Sequence, residues 1–146
     1  MKAKTINRLN KVITVSVYGI YPLVLMILIY NQDSRFWRVL LTPAISSIIV
    51  SMFRNYINAP RPYEVSEIKP IIKKETKGKS FPSRHVFSIF VIAMTLFYIS
   101  KPLGIFLMVA GVILAILRVI GGVHFPRDVI AGAIIGIVSG FLGFYL

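Results

Sequence analysis

Charged residues in this chain gather between long stretches from which they are absent. Charge is missing from 12–30, 39–53, 86–100, 102–117 and 129–146. A membrane-spanning helix takes about 20 residues, with roughly 17–25 observed, and uncharged flanks with snorkelling arginines extend the shorter runs. Lipid offers no water to pair backbone N–H and C=O groups, so a run that crosses it must be helical. The pattern therefore predicts an all-α, multi-pass membrane helical bundle with about five transmembrane helices. The two shortest runs, 39–53 and 86–100, are marginal in length and suit a buried or tilted helix as well.

The polar segments place the ends of these helices. Residues 1–11 carry Lys2, Lys4, Arg8 and Lys11 around Ile6 and Leu9, which predicts a basic interfacial segment. The run after it has no small-residue cleavage site behind it, so it reads as a retained span. Asn31 to Ser34 make a turn and Trp37 an interfacial anchor. Two prolines within three residues, Pro60 and Pro62, stop the second span and leave Arg61 on an extended segment. Residues 63–80 form a polar, basic loop with Lys69, Lys73, Lys74, Lys77 and Lys79, suited to anionic headgroups or simply to solvent. Ser80 to His85 carry helix-start signals for the third span, and Pro126 suits the first turn of the last. The whole reads as one membrane-embedded domain, 1–146. Gly132, Gly136 and Gly140 put small residues along one face of the last span, for close helix contact within the bundle or in a homodimer.

Composition agrees with the pattern. At 56% hydrophobic and a mean hydropathy of +0.77, the chain is too apolar for a soluble domain of 146 residues. A net charge of +12 would suggest nucleic acid in a soluble protein, but here it is confined to loops. The partners implied are the membrane itself and a phosphorylated lipid or anionic headgroup, not nucleic acid. No cysteine is present, which excludes thiolate chemistry and disulfides.

The candidate chemistry lies in the connections. Counting spans puts the loop after the second (54–85) and the loop after the fourth (118–128) on the same side. Arg54, Arg61, Ser83, Arg84, His85, Arg118, His124 and Asp128 can thus converge on one membrane face, and the chain's two histidines are both among them. Asp128 follows His124 by four residues and lies in the first turn of the last helix, where it can reach back to orient the imidazole. The first N–H groups of the third span make an anion site beside Ser83 and Arg84. A histidine held by an acid and facing guanidiniums has the parts needed to attack phosphorus. Each element taken alone also fits an ordinary helix terminus with snorkelling arginines; their convergence is what reads as a site.

Arg54-x6-Arg61-Pro62, then Pro82-Ser83-Arg84-His85, then Leu117-Arg118-x5-His124-x3-Asp128 resembles the three-part signature of the type 2 phosphatidic acid phosphatase family. That family also includes vanadium haloperoxidases and glucose-6-phosphatase. Its pattern is Lys-x6-Arg-Pro, Pro-Ser-Gly-His and Ser-Arg-x5-His-x3-Asp, so order and spacing match while Arg54, Arg84 and Leu117 replace lysine, glycine and serine. The resemblance implies His124 as a nucleophile forming a phosphohistidine, Asp128 as its orienting acid and His85 as general acid. It implies Arg54, Arg61, Arg118, Ser83 and the backbone near Arg84 as phosphate holders, with no metal or other cofactor. It also implies a lipid phosphatase acting on undecaprenyl pyrophosphate, phosphatidylglycerophosphate or phosphatidic acid, with two alternatives. One is a phosphotransferase using the same site, and the other an inactive membrane protein that binds anionic lipid. The family's lipid enzymes have six spans, one more than is read here. A cell-membrane location is expected, with the side of the site open. All Lys and Arg except Arg35, Arg38 and Lys101 fall on the site's side, but several of them serve the site itself.

Overall fold

The structure is a computed structural model that describes residues 2–66, 68–72 and 76–145. The chain runs α1 (Ala3–Tyr30), α2 (Phe36–Ile57), α3 (Pro62–Val65), α4 (Arg84–Phe97), α5 (Lys101–Ile120) and α6 (Pro126–Tyr145). No strand occurs among the described residues. The protein is an all-α, multi-pass membrane bundle.

Helices α1, α2, α5 and α6 are long and apolar enough to cross a membrane. Helix α4 is not. Its 14 residues rise about 21 Å at 1.5 Å each, short of a hydrocarbon core of about 30 Å. The marginal run at 86–100 is therefore a short central helix. It is apolar on all sides, and a helix of that kind must be surrounded by protein or lipid. Here protein surrounds it: Val86, Phe87, Ile89, Phe90, Val91, Ile92, Ala93, Thr95 and Leu96 are all buried. The longer helices turn residues such as Leu23, Met26, Ile48, Ile105, Phe106 and Ile134 outward, as a lipid-facing surface should be.

The basic segment at 1–11 is continuous with the first span. Helix α1 starts at Ala3 and continues unbroken through the apolar run. Nothing between Ala3 and Lys11 breaks a helix, and its first turns have tertiary partners. Ile6 is buried with Ile72, Leu117 and Val123, and Asn7 Nδ2 donates to Ile71 O at 2.9 Å. The start of α1 is thus docked on the loops that carry the candidate chemistry. Of the basic loop, Lys73 and Lys74 lie outside the described residues.

The glycine stripe of α6 is taken up inside the chain. A Cβ at Gly136 would lie 2.8 Å from Phe87 O, and one at Gly132 2.8 Å from Ser83 O. Those distances leave no room for a side chain, so α6 runs backbone to backbone along α4. A homodimer through this stripe would have to displace α4. The close approach also sets the site: it brings the first turns of α4 and α6 together, where Ser83 N donates to Asp128 O at 2.9 Å.

Candidate active site

The last turn of α5 carries Arg118, and the chain then turns through Gly122 at φ +77°, a conformation glycine adopts freely. Val123 is buried and anchors the turn. His124 follows, just outside α6. Asp128, in the first turn of α6, accepts Phe125 N at 2.8 Å, which satisfies an early helix donor and fixes the carboxylate. The same oxygen, Oδ2, lies 3.4 Å from His124 Nδ1. The other ring nitrogen, Nε2, lies 3.5 Å from Arg61 Nη1. Burial lowers the His124 pKa to about 4; the hydrogen bond to Asp128 opposes this, and the nearby Arg118 and Arg61 charges add to it. The imidazole is therefore neutral at neutral pH, with a lone pair available.

Three guanidiniums sit beside it. Arg54, Arg61 and Arg118 are buried, yet none pairs with a carboxylate among the described residues. Backbone carbonyls hold them instead. Arg54 Nη2 donates to Lys79 O at 2.6 Å. Arg61 Nε donates to Gly78 O at 2.9 Å, and its Nη1 to Val123 O at 3.2 Å. Glu64 pins that frame by accepting Arg61 N at 2.6 Å and Gly78 N at 2.9 Å. Arg118 Nη1 reaches Asn10 Oδ1 of α1 at 3.4 Å, while Arg118 Nε and Nη2 and Arg54 Nε are buried without a partner among the described residues. Stripping a charge of water costs several kcal/mol unless an opposite charge compensates. Three such cations, two of them with spare donors, suit an anion of more than one charge.

Arg54, Arg61 and His124 border a cavity of about 410 Å³, which Tyr18, Thr76, Lys79, Arg84 and His85 also line. Arg84 is exposed and His85 half-buried at its rim. Ser83 is placed otherwise than expected. Its hydroxyl accepts Val86 N at 3.4 Å as the N-cap of α4, and its side chain is buried and not part of the lining. It serves the anion site through the helix start. Arg118 likewise does not line the cavity, but lies behind it within the field of Arg54 and Arg61. No group of three or more His, Asp or Glu side chains among the described residues gathers to hold a metal ion.

A sequence model of the PAP2 superfamily matches residues 35–146. This chain belongs to the PAP2 superfamily. Its three signature segments occupy α2–α3, the start of α4 and the α5–α6 turn of the PAP2 region.

Among individual relatives, the bacitracin transport permease protein BcrC of Bacillus licheniformis is 31% identical over 102 residues, covering 69% of this chain and 48% of that protein. The undecaprenyl-diphosphatase of Sulfolobus acidocaldarius is 28% identical over 123 residues, covering 83% of this chain and 60% of that protein. The chain thus spans about half the length of the curated relatives it matches. The crystal structure of Aquifex aeolicus LpxE superposes with a TM-score of 0.77 at 25% identity, over 99% of this chain and 93% of that one. The fold is also that of the PAP2-type phosphatidylglycerolphosphate phosphatase of Bacillus subtilis, with a TM-score of 0.72 at 23% identity, over 98% and 81% of the two chains.

Sequence reasoning missed four contributors to this candidate site. Asn10 and Tyr18 come from α1, outside the family match, and reach Arg118 and the cavity. Glu64 had a signal: it lies three residues after Arg61, the spacing of a capping box. Ser80 had none, because a serine ahead of a helix is ordinary; only the fold shows that it is buried against Asp128.

Proposed function

We propose that this chain is an integral membrane phosphatase of the cell membrane that hydrolyses a lipid phosphomonoester or isoprenyl pyrophosphate through a phosphohistidine on His124. The observation that carries the reading is the placement of His124 Nε2, 3.5 Å from Arg61 Nη1 in a cavity also lined by Arg54 and His85. Phosphoryl transfer asks mainly for positioning and for positive charge on the equatorial oxygens. Three buried guanidiniums without carboxylate partners supply that charge.

In the first step the Nε2 lone pair attacks phosphorus and the bond to the lipid-side oxygen breaks. His85, at the cavity rim, protonates the leaving oxygen. Asp128 stabilises the imidazolium from its Nδ1 side. In the second step His85 takes a proton from water, the water oxygen attacks phosphorus, and the P–N bond breaks to release phosphate and neutral His124. Arg54, Arg61 and Arg84, with the α4 N-terminus, hold the phosphoryl oxygens throughout, and Arg118 adds its charge from behind the cavity. The name of the Sulfolobus relative makes undecaprenyl pyrophosphate the first substrate to test, ahead of phosphatidylglycerophosphate and phosphatidic acid.

Phosphate release by the detergent-purified protein, measured on that lipid panel with chelator present, tests the reading. Wild type should release phosphate from at least one lipid, and His124→Ala from none. Silence of the wild type on every lipid would leave an anionic-lipid-binding protein; equal release by the variant would remove His124 as nucleophile.

A further inference from the structure

Ser80 lies two residues before the Pro82-Ser83-Arg84-His85 segment and is fully buried. Its Oγ donates to Asp128 Oδ2 at 2.5 Å and lies 3.4 Å from His124 Nδ1. Its backbone N–H donates to Ala59 O at 3.0 Å, on the segment between Arg54 and Arg61. One residue therefore joins the arginine segment to the acid and to the nucleophile. Nothing in the proposed mechanism uses it.

We propose that Ser80 is a positioning residue for the His124 nucleophile, bridging Asp128 and the Nδ1 edge of the imidazole so that the lone pair stays on Nε2. The inference rests on the phosphohistidine reading above. A serine hydroxyl has a single proton and two lone pairs. With the proton directed at Asp128, only a lone pair faces Nδ1. Asp128 Oδ2, also 3.4 Å from Nδ1, is a second acceptor. On the opposite edge, Nε2 faces a donor, Arg61 Nη1. Acceptors on one side and a donor on the other both require the Nδ1–H tautomer, which leaves Nε2 free to attack. Ser80 and Phe125 N together hold Oδ2 from two directions, so the carboxylate cannot rotate away from the ring. When phosphorus bonds to Nε2 the ring becomes an imidazolium, and the bridged pair shares its charge.

Ser80→Ala removes one oxygen and disturbs little else. Its kcat for phosphate release should fall about ten- to hundredfold, the scale of one hydrogen bond to a charged group. KM and inhibition by inorganic phosphate should not move, because the arginines are untouched. The loss should vanish when Asp128→Asn is already present, since Ser80 acts through that carboxylate; single-turnover assays with enzyme in excess keep the slow variants measurable. An unchanged kcat, a raised KM, or a loss that multiplies in full with Asp128→Asn would each overturn the proposal. Activity that survives His124→Ala would instead overturn the phosphohistidine reading beneath it, so the two failures are separable.

Discussion

The two ends of the bundle treat arginine in opposite ways. At the end away from the site, Arg35 pairs with Asp33 through Nη2–Oδ2 at 2.7 Å, in the open, and also reaches Tyr98 O. Its hydrogen bonds hold the Asp33 carboxyl down to about pKa 2. Arg38 donates to Gly143 O at 2.9 Å from an exposed position. Around them Tyr98 stacks on Phe144 with centroids 4.5 Å apart, an aromatic belt of the kind that sits at a lipid–water interface. At the site end, Arg54, Arg61 and Arg118 are buried, held by carbonyls and an amide, and none forms an ion pair with a carboxylate among the described residues. Exposed pairs contribute little to stability and are screened by salt. Buried cations without a counter-ion are costly, and they persist only where something else is gained. The contrast separates arginines that finish a surface from arginines that, under the proposed function, receive an anion.

Substitution at each end sharpens this contrast. The largest effect belongs to Arg61→Ala, which removes a buried donor beside Nε2. It should cost about 10²–10³-fold in kcat/KM, the scale seen when one preorganised donor to a developing oxyanion is lost. Comparable activity would mean that the buried charge is structural.

The second effect is on folding. Gly136→Val would drive a branched side chain into Phe87 O and separate α4 from α6. Overpacking costs about 1–3 kcal/mol in typical cores, and more where the clash is with backbone. Detergent-purified protein should show a thermal midpoint lowered by several degrees or poor recovery. A midpoint equal to wild type would show that the helices do not meet along the stripe.

The third concerns pH. Burial holds His124 at about 4, below its ordinary 6.5. The unfolded chain therefore binds more protons than the folded one between these values, and stability falls as pH drops from about 6.5 through 4. The acid limb of kcat/KM due to His124 should likewise lie near pH 4 in wild type. Replacement by Asn should flatten the stability slope in that window. A limb near 6.5 would mean that the imidazole is solvated.

Smallest of all, Arg35→Ala should leave kcat and KM as they are and change stability by no more than about 0.5 kcal/mol, as surface substitutions do. A large loss of activity there would erase the distinction between the two ends.

Much of this was legible in the chain. Charge exclusion fixed the helical class and the boundaries of α2, α5 and α6 closely. The spacings within Arg54–Arg61 and within His124–Asp128 pointed to residues that the fold brings together at the candidate site, because geometry at each helix end is encoded locally. Hydropathy does not distinguish lipid from protein as the apolar surroundings, so it could not show that α4 is buried along most of its length. Nor could it show that the first turns of α1 dock on Ile72, Leu117 and Val123, which are distant in sequence. The same limit hid Ser80, Asn10 and Tyr18, whose roles come from long-range contacts. Ser83 reads as a phosphate ligand or a helix cap, since both uses draw on the same hydroxyl, and in the structure that hydroxyl caps α4.

The most direct test of the account is to trap the intermediate. Wild type mixed with undecaprenyl pyrophosphate labelled in its terminal phosphate, quenched rapidly in base, should carry acid-labile, base-stable phosphate on a peptide containing His124. Label on that peptide, and its absence in His124→Ala, is the predicted result. Turnover of the lipid with no label on the protein at any quench time, or label located on His85, would contradict it.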